Sequence, residues 1–215
     1  LKYHLTSLND VAQGLGDDAL AAEAAHGLAE LEASDPRLKA LGERLAAVRR
    51  GEAPRDNLER LALAQRAYDT KQFAPSAKLW SEAFAADPKL VDDRAAQHRY
   101  NAACAAALAA AAQGQDAGGD APPLDDAARA ALRRQAREWL RAEHDAWKQL
   151  VAKGGAEKHA AINQILRHWQ EDTDLAGVRE AAALAKLPEN EREEWRKLWA
   201  DVAKLVESTK LAKQP

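Results

Sequence analysis

Side chains that could attack or bind a soft metal are few in this chain, one cysteine and six histidines, set among 34 carboxylates. Cys104 lies in the alanine-rich stretch Ala102 to Ala112. A thiol there reads as a small buried hydrophobe, not as a nucleophile. Glu23-Ala24-Ala25-His26 has the Glu-x-x-His spacing that sets both ligands on one helix face in di-iron bundles. Such a site takes two of these motifs and two further glutamates, and only one is present. His144, His159 and His168 stand outside the His-Glu-x-x-His spacing that delivers two imidazoles to zinc. The expectation is therefore a chain with no catalytic residue, no metal site and no cofactor. Trp139, Trp147, Trp169, Trp195 and Trp199 fall at helical spacing, which favours packing over an aromatic ligand cage. Arg133, Arg134 and Arg137 form a small basic patch that reads as a solvated helix face among nearby acids.

The elements that position these residues are best drawn between Leu61 and Pro88. Leu63, Ala64 and Ala67 recur at helical spacing, Asp69 to Gln72 break the pattern, and Phe73 follows. Ser76, Trp80, Ala83 and Phe84 then recur before Asp87-Pro88, so the stretch reads as two closely packed helices. Composition agrees. The chain is 47% hydrophobic, mostly alanine with leucine, and only 5% aromatic, which disfavours sheets and predicts an all-α fold. With 31 basic and 34 acidic residues interspersed, net charge is -3, and no single-sign field exists to attract nucleic acid or an anionic membrane. No apolar run approaches the roughly 20 residues that span a bilayer. The lone cysteine rules out an internal disulfide and fits a reducing, cytoplasmic setting. The chain opens at Leu1 without methionine or a signal segment, and is expected to be a piece of a longer protein.

A degenerate hairpin is expected over 1–36, where Val11, Ala12, Leu15, Ala24, Leu28 and Leu31 repeat the offsets of the 57–88 hairpin. An extra helix over 37–50 separates the two, with Leu38, Leu41, Leu45 and Val48 on one face. A third hairpin starts with a helix over 92–113, and the Gly/Pro/Asp-rich stretch 114–124 is expected to be a flexible loop. Residues 125–215 hold a long helix capped by Asp125 and a helical C-terminal cap. The cap comprises a helix through Ile162, Ile165, Leu166 and Trp169, an irregular turn from Asp172 to Val178, and a final helix opened by Pro188.

The 61–88 spacing resembles the tetratricopeptide repeat, with Ala67 where that family usually carries an aromatic. The phrases HRYNAACAAALAAAAQGQD, RRQAREWLRAEHDAW, LRHWQEDTDLAGVRE and LAKLPENEREEWRKLWADV resemble the helical-repeat tails of large bacterial serine/threonine protein kinases. That resemblance implies an α-solenoid of helical hairpins that binds a protein or peptide in the groove lined by the first helix of each hairpin. By position the groove residues are Asn9, Asp10 and Gln13, then Gln65, Tyr68 and Asp69, then Gln97, Tyr100 and Asn101. Leu61 and Gln65 stand where chaperone-binding members carry a carboxylate-holding lysine and asparagine, so a chaperone tail is not the implied partner. The kinase parts themselves are missing: His98-Arg99-Tyr100 lacks the catalytic aspartate, and there is no glycine-rich phosphate loop. Three readings stand: a scaffold without catalysis, the regulatory tail of a kinase whose catalytic domain lies outside this chain, and a purely structural spacer.

Overall fold

The computed structural model describes residues 34–114 and 123–211, with single positions at 19, 22, 23, 26 and 30. Its described residues are all-helical, with no strand among them. The chain divides into two compact units, Leu1–Pro54 and Arg55–Pro215.

In the first unit, helix α1 spans Pro36–Arg49. Proline opens it with its φ already helical, and the Asp35 carboxylate accepts from the Arg37 N–H at 2.8 Å. Leu45 is its buried residue. Arg44 ties down the exit by donating to Glu52 at 2.5 Å and to the Ala53 carbonyl at 2.7 Å. The expected hairpin over 1–36 lies largely outside the described residues.

In the second unit, α2 (Asn57–Asp69) and α3 (Phe73–Ala86) form an antiparallel pair joined by a tight turn. Asn57 at the start of α2 donates to the carbonyl of Ala83 near the end of α3, 3.1 Å away. Leu63, Ala64 and Ala67 face Ser76, Ala77, Trp80 and Ala83, all buried. Small residues let the backbones approach so closely that the Ser76 hydroxyl donates to the Ala64 carbonyl at 2.8 Å. Trp80 is 2% exposed, so the hairpin's largest ring is interior.

Helix α4 runs His98–Ala110. The periodicity reads the helix back to Asp92, but Pro88–Asp92 is a separate 3₁₀ turn and Gln97 takes a left-handed φ of 52°. That backbone kink starts the helix at His98. From Ala102 to Ala110 every residue is buried, because α4 packs on α3, on the long helix α5 (Asp126–Lys153) and on the turn at Thr173–Leu175. A helix apolar on every side belongs at the centre of a core. The helices flanking the 114–124 stretch thus pack on each other, while residues 115–122 of the expected flexible loop lie outside the described residues.

Asp125 caps α5 by accepting from the Ala128 N–H at 2.7 Å. Gly154 and Gly155 separate α5 from α6 (Ala156–Glu171). The Asp172–Val178 segment holds the 3₁₀ turn Thr173–Leu175 and the short α7 (Ala176–Arg179). α8 (Ala181–Leu184) and the closing helix α9 (Glu189–Leu211) follow. α9 lies along α6 and α5, burying Trp195, Leu198, Val202, Leu205 and Val206. At roughly 1.5–3 kcal/mol per large side chain, this stripe anchors the C-terminal region. The basic patch joins the same contact. Arg133 makes a two-pronged pair with Glu191 at 2.5 and 3.0 Å, and Arg137 meets Glu194 at 2.6 Å.

Candidate functional site

The most concentrated polar chemistry among the described residues lies where α4 meets the turn after α6. Tyr100 and Cys104 stand one helical turn apart on α4, on one face, and Tyr68 comes from α2. Asp172 ends α6 and Asp174 follows in the 3₁₀ turn. The Asp172 side chain accepts from the Asp174 N–H at 2.9 Å, a local bond that holds both carboxylates on the same side of the turn. Tyr100 donates its phenol proton to Asp172 Oδ2 at 2.5 Å, and Tyr68 donates to Asp174 Oδ2. Cys104 Sγ faces Asp172 Oδ2 at 3.9 Å.

Packing sets the orientation. The Tyr100 ring stacks on Trp169, with centroids 5.2 Å apart and planes 15° from parallel. Arg179 Nη1 binds the backbone carbonyls of Trp169 and Asp172 at 3.1 and 2.6 Å, fixing the end of α6. His168, an exposed residue one turn before Asp172, places Nε2 3.4 Å from Asp172 Oδ2. Burial pushes both phenols far above their ordinary range, and the neighbouring Cys104 thiol and carboxylates push the same way. Burial likewise raises the Cys104 thiol, with Asp172 and Asp174 adding to the effect. All three groups are therefore proton donors at neutral pH, and the thiol is a poor nucleophile there.

The nine residues of the implied groove fall into four groups. Asn9, Asp10 and Gln13 lie outside the described residues. Tyr68 is half-buried and Tyr100 buried, both turned onto the carboxylates. Gln65 and Asp69 are exposed on α2 and bonded to each other at 2.9 Å. Gln97 and Asn101 are half-buried at the start of α4, where the Asn101 N–H bonds the Gln97 carbonyl at 3.0 Å. Gln65 and Asp69 share their helix face with Ala62 and Leu58. Leu58 is 77% exposed, a large apolar side chain left in water. In the other unit, His26 of the Glu-x-x-His motif pairs with Glu30 at 3.3 Å, both side chains exposed.

No known family, curated protein or solved structure matches this chain. Its function must therefore be argued from its own geometry. Asp172 and Asp174 escaped the sequence reading because their partners Tyr100 and Tyr68 are 72 and 106 residues away. The one local hint was the Asp-x-Asp spacing directly after a helix. Among the described residues, no helix is long and apolar enough to cross a membrane.

Proposed function

We propose that this chain is a protein-interaction module, a tetratricopeptide-like stack of helical hairpins that binds a protein or peptide partner and performs no catalysis. The observation that supports this reading is the stripe Leu58, Ala62, Gln65 and Asp69 along α2. It runs the length of the first helix of the best-formed hairpin, stays exposed, and begins with an unburied leucine. An apolar anchor beside an amide and a carboxylate suits a peptide that buries one side chain and hydrogen-bonds alongside it. The rigid α2–α3 pair beneath holds the stripe in place, which lowers the ordering cost of binding.

The test compares capture of partners by the intact chain with capture by a Leu58→Asp, Gln65→Ala, Asp69→Ala variant. Unchanged circular dichroism verifies that the variant is folded. A protein retained by the first and lost by the second supports the reading, and identical capture by both contradicts it.

A further inference from the structure

We propose that Cys104, Asp172 and Asp174 bind a divalent transition-metal cation, and that the chemistry of the set selects zinc. The thiol sulfur and one oxygen from each carboxylate all lie within 4.8 Å of one another. In a tetrahedral zinc site, with bonds of about 2.0–2.3 Å, neighbouring ligand atoms stand about 3.5 Å apart. Cys104 Sγ and Asp172 Oδ2 are already 3.9 Å apart, and His168 Nε2 is 3.4 Å from the same oxygen. One thiolate and two carboxylates, with water to complete the tetrahedron, make a set of mixed softness that suits zinc better than calcium or magnesium, while His168 approaches only the Asp172 oxygen.

Two further features point to a ligand rather than to a casual gathering of acids. The thiol is 2% exposed and donates to Asp172 Oδ2 across 3.9 Å, a separation that also fits an edge of a coordination tetrahedron. Each carboxylate also receives a phenol, Tyr100 on Asp172 and Tyr68 on Asp174. Ligating carboxylates ordinarily carry such an outer donor, which fixes their orientation. Cys104 is buried, whereas Asp172 and Asp174 are half-buried and His168 exposed, so the cation enters from the His168 side. Binding displaces the thiol proton to solvent, forms a metal–sulfur bond, and staples the central helix α4 to the turn after α6.

The test is titration of cobalt(II), a spectroscopic stand-in for zinc, into the chelator-treated full chain. Because Cys104 is the only cysteine, any thiolate-to-cobalt charge-transfer band reports this site and no other. The expected result is that band saturating at one equivalent, its loss on adding zinc, and a zinc-dependent rise in melting temperature. Asp174→Asn, which keeps the side chain's shape, is expected to weaken cobalt binding at least tenfold. A titration of the unaltered chain with no thiolate band overturns the proposal, whether or not the variant folds. So does a band with equal affinity in Asp174→Asn.

Discussion

Tyr100 donates its phenol proton to the Asp172 carboxylate at 2.5 Å while its ring lies flat on Trp169, joining the central helix to the end of α6 at two points. Removing the hydroxyl leaves the stack and deletes the bond. Hydrogen bonds to charged groups are worth about 1.5–3 kcal/mol, so Tyr100→Phe should lower unfolding free energy by about 2 kcal/mol. Adding Asp172→Asn should cost less in that background than in the unaltered chain. Urea denaturation of the four proteins in the double-mutant cycle measures the coupling, and strictly additive losses would rule out the bond.

Gly114 sits at φ +87°, and a Cβ built on it would stand 2.2 Å from the Lys71 carbonyl oxygen and 2.7 Å from the Phe73 ring. Gly51 has φ +110° with nothing within 4 Å of its Cβ position. Gly51→Ala should therefore suffer backbone strain alone, about 1–3 kcal/mol. Gly114→Ala should suffer strain and collision together, and lose more stability. Thermal melts of both variants give the comparison; an equal or smaller loss for Gly114→Ala would contradict the close approach.

How much of this could be read in advance depends on the range of each interaction. The α2–α3 hairpin was legible because Leu63, Ala64, Ser76 and Trp80 are spaced by the helix itself, and the chain brings the two faces together after a short turn. The long α5 was equally plain from its capping aspartate and its closing glycines. Tyr68 and Tyr100 were not. A tyrosine on a helix of such a pair can face solvent or a core with the same spacing, and only the distant Asp174 and Asp172 decide which. The start of α4 was misread for a local reason: the left-handed Gln97 leaves no mark on hydrophobic periodicity.

Glu143 is buried on α5, with Arg99 3.1 Å and Arg94 4.0 Å away. Burial raises its pKa, while Arg99 and then Arg94 pull it back down. Arg99→Met keeps the apolar stem and removes the guanidinium, along with its 2.5 Å bond to the Val91 carbonyl. The variant should lose about 3 kcal/mol at pH 7, because a buried carboxylate is left with little compensation. A carboxyl whose folded pKa lies above its unfolded value gains stability as pH falls, and losing Arg99 widens that gap. The penalty should therefore shrink between pH 7 and pH 5. A penalty that grows on acidification would contradict this account.

Cys104 is buried, and its thiol is held protonated by that burial and by the two nearby carboxylates. A thiol-specific chromogenic reagent at pH 7.5 in chelator-treated protein should react at the rate of chain opening, far slower than with the urea-unfolded chain. Equally fast reaction in the folded state would show the thiol to be open to solvent.

The proposed contact role of α2 is tested most directly by a photo-activatable amino acid placed at Gln65, with the same residue at Lys148 on the exposed side of α5 as control. Irradiated in cells of the source organism, the protein labelled at 65 should crosslink to a defined partner that the protein labelled at 148 does not reach. No adduct at 65, or the same adducts from both positions, would contradict the assignment of α2 as the binding face.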